Sequence, residues 1–250
     1  MALRLTLAAV LASWLMAPAP ALANHDHLRS ERHSAGASDH PHHWVAEPIM
    51  FDLIRNLGAR GGEREVGAVA HWHNQELELG TEVEWVPVDG HALELEVANP
   101  HEPKRHLKGA YQGKLGSAFG QRVLYGFHLL GGFQPERGEA EAGLSWVTAL
   151  RPHPDWTALL VAGGRGRREE AETRLAALAN GSLFFHLSDA WIVGGEANWQ
   201  QQPGGWGRLD LLPQLRWDHD ESVHLQLGVG VRLEGAGLAP VSALRLNYGF

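Results

Sequence analysis

The chain has 250 residues, no cysteine and a formal net charge of −8. Without cysteine it can form neither disulfides nor the lipid-modified N-terminal cysteine of a lipoprotein, so its stability depends on a large core or a closed sheet. An acidic chain binds nucleic acid poorly, and we expect no nucleic-acid partner.

The first 23 residues have the pattern of a cleaved signal peptide. Arg4 supplies a positive charge, an apolar run extends over residues 5–16, and Ala21-Leu22-Ala23 is a small-x-small cleavage site. The apolar run is shorter than the roughly 20 residues that a membrane-spanning helix needs, which disfavours the alternative of an uncleaved anchor. We expect residues 1–23 to direct export and to be removed.

Residues 24–44 form a polar, histidine-rich segment with almost no large aliphatic side chains, and this composition predicts disorder. Neutral imidazole is a common ligand of zinc, copper and nickel. The candidate ligands for a divalent transition metal in this segment are His25, His27, His40, His42 and His43. The alternative is a solvated leader without metal, because no rigid scaffold fixes these side chains.

Residues 45–62 predict a short amphipathic helix followed by a linker. Met50, Leu53, Ile54 and Leu57 follow the i, i+3, i+4, i+7 spacing of one helical face. Gly58 is a suitable C-terminal cap. We expect this helix either to lie at the membrane–water boundary or to plug the barrel that the following residues predict.

Residues 63–250 alternate between apolar and polar side chains almost throughout. Residues 223–233 alternate without a break, whereas strands of soluble sheets usually have about five or six residues. Strands of roughly nine to eleven residues are long enough to cross a bilayer at a tilt. The pattern predicts an all-β fold, an antiparallel transmembrane β-barrel of about twelve strands, with ten or fourteen as alternatives. The predicted strands are 63–73, 76–87, 91–99, 106–118, 121–133, 138–149, 155–165, 171–187, 190–200, 206–217, 221–233 and 238–249.

The predicted connections alternate in character, as they do in outer-membrane barrels with short periplasmic turns and longer outer loops. Tight turns are predicted at 88–90, 119–120, 152–154, 188–189 and 218–220, and longer polar loops at 99–105, 134–137, 166–171 and 201–205. An even strand number then leaves both termini in the periplasm. Tryptophans near strand ends predict the aromatic belts of a membrane barrel: Trp72, Trp85, Trp146, Trp156, Trp191, Trp199, Trp206 and Trp217.

Two stretches resemble known outer-membrane proteins. The chain ends on Leu244-Arg-Leu-Asn-Tyr-Gly-Phe250, which resembles the terminal-strand signature of bacterial outer-membrane barrels. That resemblance implies recognition by the outer-membrane insertion machinery and a place among outer-membrane lipids. Residues 76–99, with Trp85-Val-Pro-Val-Asp-Gly90 before the second strand, resemble the opening hairpin of transporters of the meta-pathway phenol-degradation type. This second resemblance carries no substrate over to the present chain.

The alternation also predicts which charged side chains face the lumen. If Leu77, Leu79 and Val83 face lipid, their neighbours face inward. The predicted lumen residues are the acids Glu65, Glu78, Glu82, Glu84, Glu94 and Glu96, and the bases Arg216, Arg232 and Arg245. Acid on one wall and base on the other predict a polar pore that favours cations or small zwitterions. The alternative is a closed lumen filled by ion pairs, because an unpaired buried charge is unfavourable.

Other polar side chains raise the question of a metal site or a catalytic site inside the barrel. His71 and His73 share a lumen face and, with Glu65 or Glu78, are candidates for a metal or proton site; the alternative is two polar filling residues. Two serine–histidine pairs, Ser182 with His186 and Ser145 with His128, lack the G-x-S-x-G motif of an esterase.

Taken together, the sequence predicts a non-enzymatic outer-membrane barrel that passes or binds a small solute, with a cation or metal ion as the candidate. The main alternative is a closed-lumen structural or metal-binding barrel. A lipid-modifying enzyme is disfavoured by the absence of the esterase motif. A soluble β-sandwich stays open at this point, because alternation alone does not show which face of the sheet lies inside.

Overall fold

The computed structural model describes residues 46–51, 53–73, 76–99, 105–169, 172–201, 205, 207–220, 222–235 and 237–250. All of them belong to one compact unit, His42–Phe250. The predicted signal peptide and histidine-rich segment lie outside the described residues. The same holds for the candidate metal ligands His25, His27, His40, His42 and His43.

Twelve antiparallel strands form a closed barrel, in which each strand pairs with the next and β12 pairs with β1. This confirms the predicted all-β transmembrane barrel and its strand number. The strands are β1 (Arg64–His73), β2 (Glu76–Val88), β3 (His91–Ala98), β4 (His106–Ala118), β5 (Val123–Gln134), β6 (Glu139–His153), β7 (Trp156–Glu169), β8 (Glu172–His186), β9 (Trp191–Gln201), β10 (Arg208–Asp218), β11 (Val223–Glu234) and β12 (Gly237–Gly249).

The apolar side chains of the strands point outward and the charged ones point inward. In β2, Leu79 and Val83 are exposed on the outside, while Glu82 and Glu84 are buried in the lumen. A soluble barrel or sandwich has the opposite arrangement, with its apolar face inside. An apolar outer surface on a closed antiparallel barrel is the surface that lipid covers, so the soluble alternative is wrong.

The barrel has a turn end and a loop end. The turn end carries the short connections 89–90, 119–122, 154–155, 187–190 and 219–222, together with the start of β1 and the end of β12. Gly90 and Gly120 adopt φ values of +74° and +64° in two of these turns, a conformation that favours glycine. On the outer surface at this end, Trp156 packs on Phe185 and Trp191 stacks on Trp217.

Not every tryptophan follows the belt prediction. Trp72 and Trp199 lie near the loop end of their strands, as predicted, whereas Trp146 lies in the middle of β6. Trp206 lies outside the described residues. The belts are therefore only partly formed by the tryptophans that the sequence pattern singled out.

The predicted loop at 166–171 is wrong, because β7 continues to Glu169 and β8 begins at Glu172. Polar composition suggested a loop there, but lateral ion pairs keep these strands together. Arg174 of β8 lies 3.2 Å from Glu169 of β7, and Arg165 of β7 lies 3.6 Å from Glu141 of the neighbouring β6. Charged side chains that pair across neighbouring strands stabilise a sheet instead of ending it.

The short helix predicted within residues 45–62, before the linker, is also wrong in the described part of that segment, which runs through bends and turns. Leu53 has a φ of 50°, which interrupts a right-handed helix. A helical stripe buries one face, but the closed barrel surrounds this segment, so its apolar side chains pack in several directions. Among the described residues, no helix is long and apolar enough to cross a membrane.

We predict that a charge on the outer surface destabilises the barrel according to its depth. Leu129 lies in the middle of β5 and faces outward, and Leu187 lies in the β8–β9 turn. Leu129→Arg should lower the free energy of unfolding by about 2–4 kcal/mol, and the control Leu187→Arg by about 0–1 kcal/mol. Urea unfolding of the protein folded in phospholipid vesicles measures both; equal losses would contradict a membrane-spanning outer surface.

Candidate functional site

Residues 46–51 and 53–62, here called the plug, fill the lumen at the turn end of the barrel. Ala46, Ile49, Leu53 and Leu57 are almost completely buried. Gly90, in the β2–β3 turn, donates a backbone hydrogen bond to the carbonyl oxygen of Ala59 at 2.8 Å. The sequence left open whether this segment lies at the membrane surface or inside the barrel; the structure places it inside.

Apolar side chains of the plug pack against the wall on several sides. Ala46 contacts β8 and β9, Ile49 contacts β10 and β12, and Leu53 contacts β4 and β5. Phe51, Ile54 and Leu57 form the largest apolar cluster, together with wall residues Leu124, Val147, Ala149, Leu159, Val161 and Leu178. The apolar side chains of the plug and the wall therefore form a hydrophobic core inside a lumen whose other side chains are largely charged or polar.

Wall side chains also bind the backbone of the plug. A segment without regular secondary structure leaves its buried N–H and C=O groups without internal partners, and side chains from six strands supply them. The contacts are His71 Nε2 with the Ile49 oxygen (3.3 Å), Gln112 Nε2 with the Arg55 oxygen (2.6 Å), His128 Nε2 with the Leu53 oxygen (2.8 Å), Gln226 Nε2 with the Glu47 oxygen (3.0 Å), Arg245 Nη1 with the Pro48 oxygen (3.1 Å) and the Met50 N–H with Glu196 Oε1 (2.7 Å).

Arg55 is the central charged side chain of the plug. Its Nη1 atom lies 3.2 Å from Glu65 and also contacts Glu84, both on the wall. Its Nη2 atom lies 3.3 Å from Glu63, and its Nε atom lies 3.6 Å from Glu47. Glu63 lies between the plug and β1, and we call it the linker. One guanidinium group therefore neutralises carboxylates of the plug, the linker and two strands at once, an arrangement for which its planar set of donors is suited.

Strand register explains why this part of the wall needs a cation. Glu65, Glu84 and Glu94 lie directly opposite one another across β1, β2 and β3, and we call them the first row. Like charges opposite each other on the same face destabilise a sheet. Arg55 supplies the positive charge that the first row lacks.

One step towards the loop end, Glu82 and Glu96 lie opposite each other on β2 and β3, and we call them the second row. Here the wall supplies the cations itself. Arg245 Nε lies 3.4 Å from Glu82, and Lys108 Nζ lies 3.3 Å from Glu96. The second row is therefore neutralised without the plug, whereas the first row is not.

Within the plug, Glu47 is held in its charged form. Burial by itself raises the pKa of this carboxyl group, but the nearby charges of Arg55, Arg216 and Arg245 outweigh burial and lower the pKa below its usual 4.5. Glu47 Oε1 also accepts a hydrogen bond from the Asn56 N–H at 3.1 Å, which folds the plug back on itself. Glu47 therefore links the plug electrostatically to Arg216 of β10 and Arg245 of β12.

The predicted lumen charges all lie on the inner face, but they do not face each other across open space. Arg232 binds Asp210 through two nitrogens, at 2.7 and 3.0 Å, and Arg216 lies 2.7 Å from Asp218. Glu78 is partly buried and lies opposite His71 in the register. Near neighbours and the plug therefore neutralise most of the predicted acidic and basic walls.

His71 and His73 lie opposite Glu78 and Glu76 in the register, but they belong to no group of three or more potential metal ligands among the described residues. Among the described residues, the group of side chains close enough to hold a metal ion is Glu47, Glu65 and Glu84, which surrounds Arg55. His71 instead contacts the plug backbone. Metal binding by the histidines stays a prediction.

Side chains of the two predicted serine–histidine neighbourhoods form hydrogen bonds to the plug backbone instead of a catalytic serine–histidine contact. Ser145 lies opposite His128 across β5 and β6, the neighbourhood that the sequence pattern predicts. However, the His128 ring bonds the plug backbone at the Leu53 oxygen. Ser182 lies opposite Glu196, whose Oε1 atom accepts a hydrogen bond from the Met50 N–H.

A second polar feature lies at the loop end, on the inner side of β6 to β10. A recess of about 220 Å³ is lined by Glu141, Arg165, Arg167, Arg174 and Arg208 among others. Arg167 contacts Glu139, and Arg208 lies 3.4 Å from Asp210. The entrance at the loop end is thus charged and contains both signs.

Comparison with known proteins reveals the same architecture in solved porins. A KdgM porin in complex with disordered oligogalacturonate superposes with a TM-score of 0.62 at 9% identity, over 74% of this chain and 99% of that one. The two proteins share the fold of a closed antiparallel barrel. A NanC porin gives a TM-score of 0.60 at 6% identity, over 73% of this chain and 98% of that one. At such identities the likeness shows the fold alone.

Sequence comparison adds no family. No protein-family model matches the chain, and no curated protein matches it. The resemblance of residues 76–99 to transporters of the phenol-degradation type is not supported by the solved structures that match, and it stays a prediction.

We predict that Arg55 holds the plug in the lumen. Removing one partner of a buried ion pair leaves uncompensated charge and costs about 3–5 kcal/mol. Because the chain has no cysteine, a single Leu57→Cys substitution reports when the plug leaves. Adding Arg55→Met should raise the rate of maleimide labelling at position 57 roughly a hundredfold, whereas Arg60→Met, at an exposed plug position, should not. An unchanged rate in the Arg55 variant would show that apolar packing alone retains the plug.

Proposed function

We propose that this protein is an outer-membrane, porin-type barrel that passes a small solute when the plug leaves the lumen. The observation that carries the proposal is a closed barrel with an apolar outside and a charged inside, filled by a segment that is not a strand of the wall. Export by the N-terminal signal, insertion through the C-terminal strand and contact with outer-membrane lipids belong to the same proposal.

The attachment of the plug is compatible with movement. The plug reaches the wall through Gly61 and Gly62, immediately before β1, and Gly62 has a φ of +98°. Glycines allow the chain to change direction with little steric penalty. Many of the polar contacts of the plug are hydrogen bonds to its backbone, which water can replace once the lumen fills.

The solute that we propose is cationic. When the plug leaves, the first row loses Arg55, and three carboxylates then face the lumen side by side. Carboxylates lining a pore favour cations. A divalent metal ion is one member of this class, and the histidine-rich segment that precedes the plug in the sequence agrees with it.

A closed-lumen barrel is the second candidate, and a specific observation favours it. Ile49, Leu53 and Leu57 are at most 2% exposed. Full burial of each such side chain stabilises a folded state by about 1.5–3 kcal/mol. A plug held this firmly would make the protein a structural barrel without transport.

A reversible lock on the plug separates the two candidates. A Cβ atom built on Gly228 lies 3.5 Å from Ile49 Cγ2, so cysteines at positions 49 and 228 are near the separation that a disulfide needs. If the barrel transports, Ile49→Cys/Gly228→Cys should be silent in planar bilayers when oxidised. It should conduct with a cation-selective reversal potential after reduction.

The single-cysteine variants serve as controls and should not respond to reductant. Current through the oxidised, mass-verified disulfide would show that solute passes around the plug. Silence of the wild type, the singles and the reduced double variant alike would favour the closed barrel.

A further inference from the structure

We propose that the first row is a binding site for a guanidinium group of a solute, and that Arg55 of the plug occupies this site as a tethered competitor. This deepens the proposed function and rests on it, because a solute reaches Glu65, Glu84 and Glu94 only when the plug leaves. Solute binding and plug docking then exclude each other at the same carboxylates.

The contacts of Arg55 show how a free guanidinium group would be held. Only Nη1 faces the wall, where it contacts Glu65 at 3.2 Å and Glu84. The other donors of the same group face Glu63 and Glu47, which belong to the linker and the plug. A free guanidinium group can therefore keep the wall contacts after the plug has gone. Its charge-assisted hydrogen bonds to carboxylates are among the strong ones in proteins.

The surroundings of Glu94 independently indicate a ligand at the first row. The residue is 3% exposed and its Oε1 has no hydrogen-bond partner. Among the described residues, Arg55 and Arg245 act on it from beyond ion-pair distance. It lies directly opposite Glu84 in the register and faces the same part of the lumen. A buried carboxyl group without a partner is unfavourable. The first row thus offers one more hydrogen-bond acceptor, Glu94, than Arg55 contacts. A larger cationic ligand would contact this carboxyl group as well.

The contrast with the second row argues against a purely structural acidic patch. Glu82 and Glu96 are neutralised by Arg245 and Lys108 of the wall, whichever position the plug adopts. In the first row, the described wall residues provide no cation within ion-pair distance. At ion-pair distance, the described wall residues therefore neutralise the second row only. The first row has the more distant charge of Arg245 and the guanidinium group of the plug.

The experiment uses the full chain with the Leu57→Cys reporter and guanidinium chloride at millimolar concentration, far below denaturing levels. Guanidinium should raise the maleimide labelling rate roughly tenfold by competing with Arg55. Tetramethylammonium chloride at equal ionic strength should leave the rate unchanged, because it donates no hydrogen bonds. Equal acceleration by both salts would overturn the proposal. Equal acceleration by magnesium chloride would also overturn it, in favour of a general cation site.

Three variants locate the effect. Glu84→Gln removes a direct partner of Arg55 and should release the plug without guanidinium. Glu94→Gln removes the acceptor of the row that has no hydrogen-bond partner, so its response to guanidinium, measured against its own labelling rate without guanidinium, should fall several-fold. Glu76→Gln, at an exposed position on the same strand as Glu84, should respond as the parent does. An undiminished response in Glu94→Gln would overturn the role of the first row.

The labelling experiment tests the guanidinium site and the conductance experiment tests transport, so each proposal can be contradicted without the other. If the protein stays silent in the disulfide experiment but shows guanidinium-specific labelling, the guanidinium site is supported and the proposed transport function is contradicted. If the protein conducts after reduction but shows no guanidinium-specific labelling, the proposed transport function is supported and the guanidinium site is contradicted.

Discussion

A charged or polar group inside a closed barrel is shielded from bulk water and must find a partner. This constraint organises the whole lumen. Wall side chains on six strands bind the backbone of the plug, and Arg55 of the plug neutralises wall carboxylates. Neither part satisfies its polar groups alone, so the wall and the plug complete each other.

The same constraint links stability to function. A barrel whose polar groups were all paired within the wall would gain little from a plug, and a solute would find few free groups to bind. Here the second row is paired within the wall, whereas Glu65 and Glu84 of the first row are paired through Arg55. In the proposed function, a cationic solute would therefore compete with the free energy that holds the plug.

The wall was predictable from the sequence, whereas the interior was not. Period-two alternation shows the strands and divides their side chains between two faces, because each side chain of a strand points to one face or the other. The stripe at Met50, Leu53, Ile54 and Leu57 indicated a helix, because local spacing carries no information about a wall that closes around the segment. The contact between Arg55 and Glu84 depends on ring closure and on the entry of the plug, and neither leaves a local pattern.

The central claim is that residues 46–62 occupy the lumen, and hydrogen exchange of the full chain in lipid tests it most directly. The Met50 N–H donates to Glu196 and the Asn56 N–H donates to Glu47, both in buried surroundings. We expect these amides to exchange far more slowly than those of an unfolded peptide, over minutes to hours. Exchange of residues 46–62 at the unfolded rate, while the strand amides stay protected, would contradict a plugged barrel.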